Sequence, residues 1–153
     1  MHDKLPPAAR TLGLAGLIPF LMLSAATWLT QEPWSGGAAF ALMGYGAVIA
    51  SFLGAVHWGL ALRACPDEEG AAWWRFGLGV VPSLIAWGAA LLPTMTGLLV
   101  VWEALVVLAL LLVAIAAVET QAARRGLLPL GYLRLRWQLS LGASACLVIA
   151  ALA

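Results

Sequence analysis

Charge is scarce in this sequence: Asp, Glu, Lys and Arg make up 10% of its 153 residues, where a soluble domain carries about 25%. The balance is a net charge of +1, which argues against a general electrostatic attraction to nucleic acid, since neutralising phosphates requires a dense basic patch. Cysteine is limited to Cys65 and Cys146, too far apart for the close spacing of metal or redox motifs, so both read as structural. Histidine is limited to His2 and His57. The first lies in the N-terminal tail, which argues against a haem held between two imidazoles. No nucleophile elbow, P-loop, dinucleotide fingerprint or HExxH pair occurs, and these absences point away from an enzyme. The expectation is therefore no catalytic residue, no metal and no cofactor.

What the sequence does have is apolar bulk. Hydrophobic residues make up 63% of the chain, against about 45–50% in soluble domains. A chain this short cannot hide that much apolar surface inside itself, so the surplus must face lipid. Polar punctuation separates five apolar segments, at about 10–30, 35–62, 73–92, 96–119 and 137–153. Each is close to the roughly 20 residues that a helix needs to cross about 30 Å of hydrocarbon. Helices follow because a lipid-facing backbone must satisfy its own hydrogen bonds, and no alternating pattern suggests a barrel. The reading is an all-α, five-helix transmembrane bundle forming one domain over 1–153. Lys4 and Arg10 before the first segment, and Ser24-Ala25-Ala26 within it, resemble a secretory signal. The apolar run continues to Thr30 and the chain keeps Met1, so an uncleaved helix is expected.

The connectors alternate in charge. Those at 31–34 and 93–95 hold no Lys or Arg, whereas those at 63–75 and 124–136 are rich in them. With five spans all eight basic residues fall on one face: Lys4, Arg10, Arg63, Arg75, Arg124, Arg125, Arg134 and Arg136. The positive-inside rule makes that face cytoplasmic, with the N-terminus inside and the C-terminus in the periplasm. Seven of the eight tryptophans fall near one boundary or the other, as interfacial anchors do. Trp87 lies deeper, in the third segment.

Pro19 and Pro82 each sit about a third of the way into a segment, where each should remove a backbone hydrogen bond and bend the axis. Gly16 to Leu21 echoes Gly79 to Leu84, and Ala55-Val56-His57 echoes Ala117-Val118-Glu119, a faint sign of a duplicated helical hairpin. In the second segment Gly46, Ala50 and Gly54 recur every four residues. Such a stripe lets a neighbouring backbone approach closely and marks this helix as central.

Two ionisable residues, His57 and Glu119, stand near the cytoplasmic ends of their spans. His57 precedes Arg63 by six residues and Glu119 precedes Arg124 by five, so both should lie at one depth and pair across the second and fourth helices. Gln138 and Ser140 enter from the same side and Ser83 sits one turn deeper. Imidazole beside a carboxylate can exchange protons near neutral pH. The other reading is a structural latch between helices, with Glu119 reaching water. Glu103 reads as a carboxylate that reaches the outer interface, and 67–69 as an acidic solvated loop.

The run from Tyr45 to Gly59, the segment Pro82-Ser83-Leu84-Ile85-Ala86-Trp87, and Tyr132 with Leu135-Arg136 and Leu139-Ser140 resemble an uncharacterised family of small bacterial inner-membrane proteins related to mitochondrial transmembrane protein 69. Where that family tends to show Asp, Trp-Tyr and Leu-Thr, this chain has Glu119, Gly131-Tyr132 and Leu139-Ser140. The resemblance implies the bacterial inner membrane, with His57, Trp58, Pro82, Trp87 and Arg136 as residues to test. The five-helix tryptophan-rich sensory proteins share the architecture, but their motifs are absent here.

The expected function is a non-catalytic accessory or assembly component of a membrane complex, with the bilayer and other membrane proteins, or further copies of itself, as partners. The alternative is a small-molecule binding protein or carrier with an inner-leaflet pocket. Its candidate site is His57, Trp58, Ser83, Trp87, Glu119 and Arg136. A cavity around Trp87, Ser83 and His57 would favour the carrier; a packed interior with an exposed small-residue stripe would favour the assembly component.

Overall fold

The computed structural model describes residues 5–62, 69–96, 101–124 and 128–153. Over these the chain is helical: α1 (Pro7–Ala15), α2 (Ile18–Leu29), α3 (Trp34–Leu62), α4 (Glu69–Thr96), α5 (Val101–Arg124) and α6 (Leu130–Ala151). Four stretches are long and apolar enough to cross a membrane: Pro7–Leu29, Trp34–Leu62, Trp73–Met95 and Val101–Arg124. The chain is thus a multi-pass membrane protein. Of the sequence features above, His2, Lys4, Arg63, Cys65, Arg125 and the acidic residues at 67–68 lie outside the described residues.

The first span departs from the straight helix expected of it. It breaks at Gly16 and Leu17, so that Pro19 falls in the first turn of α2 and does not kink a continuous helix. Proline is tolerated there because a first-turn amide has no partner within the helix. The break is held from α3, where the Tyr45 hydroxyl donates to the Gly16 carbonyl at 3.0 Å. The Tyr45 ring meets Phe20 edge-on, with centroids 4.9 Å apart. Pro82 does lie inside its helix, and α4 continues past Pro93, beyond the expected end of that segment, to Thr96. The two prolines of the faint repeat therefore occupy different structural positions.

The helix α3 is central, packing against α2, α4, α5 and α6. The small stripe explains how closely. A Cβ on Gly46 would meet Leu108 Cδ1 at 3.3 Å and Leu147 Cδ2 at 3.6 Å. One on Gly54 would run into the Gly79 carbonyl of α4, and one on Gly79 into the Trp58 ring. The two backbones therefore lie against each other with no room for a side chain, as expected where helices associate by close packing in lipid. Around this seam Phe20, Leu42, Met43, Leu105, Leu108, Leu112 and Leu147 form the fully buried core.

The opposite face of α3 is open. Gly37, Ala41, Gly44, Val48, Phe52, Ala55 and Gly59 follow one another at helical spacing and are all exposed. A Cβ on Gly37, Gly44 or Gly59 would meet nothing within 4 Å.

The last helix starts earlier than expected, because 130–136 is already helical. Its first turns carry Arg134, Arg136 and Gln138, and it falls short of the apolar composition of the four spans above. It is nevertheless stitched in. Ser24 Oγ donates to the Cys146 carbonyl at 2.9 Å and Trp28 Nε1 to the Ile149 carbonyl at 3.0 Å. Toward α5, Ser144 Oγ donates to the Ala109 carbonyl at 2.9 Å and Trp137 Nε1 to Thr120 Oγ1 at 3.0 Å. The first pairs advance together along both helices, so α6 runs parallel to α2. The second advance in opposite senses, so it runs antiparallel to α5.

Candidate functional site

Three helices each bring one ionisable side chain to a single buried point. The centre is Glu119 on α5, 0% exposed; Arg136 of α6 is 4% exposed and His57 of α3 3%. Arg136 Nε donates to Glu119 Oε2 at 2.6 Å, a short charge-assisted bond. Tyr132, one helical turn before Arg136 on the same face, donates its hydroxyl to Glu119 Oε1 at 3.3 Å. His57 Nε2 stands 4.0 Å from that same oxygen, beyond hydrogen-bond reach.

The expected meeting of His57 and Glu119 across α3 and α5 is therefore present, but the imidazole is the weaker neighbour. Sequence reasoning placed Arg136 among the candidates without making it the principal partner of the carboxylate, and it took Tyr132 only as part of a resemblance. The spacing of Tyr132, Arg136 and Ser140, four residues apart on one helical stripe, was the signal available. Glu119 does not reach water as the latch reading supposed, since its side chain is sealed by the three helices. Arg136 is likewise drawn inside, where its charge offsets that of the carboxylate.

The other candidates scatter. Trp58 is adjacent in sequence to His57 but points to α4, where its Nε1 donates to the Phe76 carbonyl at 3.2 Å and its ring meets Phe76 edge-on. Ser83 is half-buried on α4, and Trp87 is 63% exposed. Neither lines the cavity that lies beside Arg136. Gln138 is exposed while Ser140 is buried. Glu103 is exposed in the first turn of α5, Cys146 is a buried free thiol, and the side chain of Thr96 lies outside the description. Among the described residues no three His, Cys, Asp or Glu side chains are grouped to hold a metal.

The cluster can do two things. It ties α6 to α5 through one carboxylate, with His57 of α3 packed beside it, and it places a balanced pair of charges where an unbalanced one would be costly. A family model described as a protein of unknown function (DUF3429) matches residues 5–152. The chain belongs to the DUF3429 family. It is also similar to transmembrane protein 69 of Xenopus tropicalis, with 42% identity over 88 residues, 56% of this chain and 33% of the relative. The matched part is thus about a third of that relative's length. No solved structure matches the chain. DUF3429 membership and the relative agree with the resemblance drawn from the motifs around His57, Pro82 and Arg136.

Proposed function

We propose that this protein is a non-catalytic component of a larger assembly in the bacterial inner membrane, docking another membrane protein on the open face of α3. The observation that carries this reading is the exposed side of a helix whose other faces are already packed, where Gly37, Ala41 and Gly44 on one side and Ala55 and Gly59 on the other flank the exposed Val48 and Phe52. Lipid gains little from small residues, whereas a partner helix gains close backbone contact from them. The buried stripe of Gly46, Ala50 and Gly54 serves packing within the chain, so the outward one is available for packing between chains.

In this reading α6 is a fifth span and 1–153 is a single transmembrane domain. The helix has 22 residues, about 33 Å at 1.5 Å per residue. It runs parallel to α2, as the last of five antiparallel spans would. Its apolar deficit is smaller than its composition suggests, because Arg136 is neutralised by Glu119. The remaining basic residues then face the cytoplasm, and the N-terminus lies there too. The cluster at Glu119 is, in this account, a latch that ties α6 to α5 beside His57 of α3 and so supports the helix that carries the docking face.

The experiment is native gel electrophoresis of membranes solubilised in mild detergent. The wild-type chain, 16.0 kDa, should migrate in a complex that contains a different membrane protein. Gly44→Leu and Gly59→Leu should release it while leaving its helical signal unchanged. Migration only as a monomer or a small homo-oligomer would overturn the reading.

A further inference from the structure

Between α1, α3, α5 and α6 lies a cavity of about 140 Å³, whose lining includes Leu12, Gly16, Phe52, Leu112, Arg136 and Ser140. Its walls are almost wholly apolar side chains. Two polar residues, Arg136 and Ser140, interrupt them, and each has a buried atom, Arg136 Nη2 and Ser140 Oγ, without a hydrogen-bond partner among the described residues. Arg136 is 4% exposed and Ser140 1%. Buried donors left unpaired are rare, because each forfeits the hydrogen bonds it made to water. Here the two sit one helical turn apart on α6 and border the same space.

The geometry assigns this cavity as a binding site for a neutral molecule that carries a carbonyl oxygen on an apolar body. The guanidinium can only donate and the hydroxyl can donate as well as accept, so an acceptor on the ligand serves both. It need not supply charge, because the Arg136 guanidinium is already balanced by Glu119 at 2.6 Å. An anion would add an uncompensated charge beside that carboxylate in a medium of low dielectric. The volume is close to that of an engineered protein cavity, roughly 150 Å³, that accepts benzene, so one ring or a short chain segment fits. Leu12 and Phe52 on its rim are 72% and 66% exposed, which gives a longer tail a way out to lipid between α1 and α3. Quinone rings and acyl esters of glycerol share this chemistry. Phe52 belongs to both the cavity rim and the open face of α3, but stabilisation by a small probe is read on the purified chain without a partner, so the site is tested separately from the docking face.

The test uses the full chain in an alkyl maltoside, a detergent without carbonyls, and reads the thermal unfolding midpoint. The probes are a decyl-substituted benzoquinone, dioctanoylglycerol, decane and decanoate. A carbonyl probe should raise the midpoint by about 3 °C or more at saturation, with decane ineffective. The stronger of the two carbonyl probes identifies the source. Ser140→Ala should leave the unliganded midpoint equal or higher, since it removes an unpaired hydroxyl, and should weaken carbonyl binding about fivefold, the worth of one hydrogen bond. Ala143→Leu, which fills the cavity from α6, should abolish the shift. The assignment fails if neither carbonyl probe exceeds decane or if decanoate binds more tightly than both. It fails equally if Ser140→Ala lowers the unliganded midpoint without changing carbonyl binding, because the cavity then serves only to hold water.

Discussion

Replacing Glu119 by alanine strands the Arg136 guanidinium and the Tyr132 hydroxyl together, and leaves a cationic group 4% exposed among apolar helices. Unit charges about 4 Å apart attract by about 4 kcal/mol at the effective dielectric of a protein near its surface. Breaking a buried pair from one side typically costs about 3–5 kcal/mol, because the survivor stays desolvated. Glu119→Ala and Arg136→Ala should each destabilise by that amount. The double variant should cost far less than the two together, with a coupling of about 2–4 kcal/mol, since removing both leaves no orphan charge. His57 is different: at 4.0 Å from Oε1 it makes no hydrogen bond to Glu119, and polar contacts between membrane helices average about 0.6 kcal/mol in such cycles. The coupling of His57→Ala to Glu119→Ala should therefore stay below about 1 kcal/mol. The assay is reversible unfolding in a graded mixture of denaturing and mild detergents, followed by far-ultraviolet circular dichroism. Additive Glu119 and Arg136 costs, or a His57 coupling that exceeds the Arg136 coupling, would refute the arrangement described for this site.

The two glycine faces of α3 should respond in opposite ways. Gly54→Ala drives a methyl into the Gly79 carbonyl and should destabilise by about 1–3 kcal/mol, as overpacking does. Gly44→Ala meets open space and should be neutral or gain up to about 1 kcal/mol from helix propensity. Both are read in the same unfolding assay, and equal responses would contradict the assignment of faces. A periplasm-active reporter fused after Ala153 should be active and one inserted after Glu69 inactive, following the segregation of Lys and Arg. Activity at position 69 or silence at 153 would refute five spans with the N-terminus inside.

Much of the architecture was legible because lipid imposes length and polarity on each span. The depth match of His57 and Glu119 to the basic residues that follow them was sufficient to bring them to one point. The role of Arg136 was not legible in the same way. A basic residue near the end of a span reads as an interfacial anchor, and only the approach of α6 to α5 turns it inward onto a carboxylate. The break at Gly16 was hidden for a similar reason, since it depends on a hydroxyl from Tyr45, twenty-nine residues further along the chain. The continuation of α4 through Pro93 was missed because proline is a stop signal in water, whereas near a helix end it removes a single bond and the turn persists. Helical spacing grouped Gly46, Ala50 and Gly54, but the seam with Gly79 had to be seen to know which glycines the chain uses itself and which it leaves open.

The central claim is that this open face meets another membrane protein. A photoreactive side chain placed at Gly44 in native membranes tests it directly, with Trp87 of α4 and Leu110 of α5, both exposed on other helices, as comparison sites. The account predicts a crosslink from position 44 to a different polypeptide, with only lipid adducts at 87 and 110. Lipid adducts alone at position 44, or crosslinks solely to other copies of this chain, would contradict it.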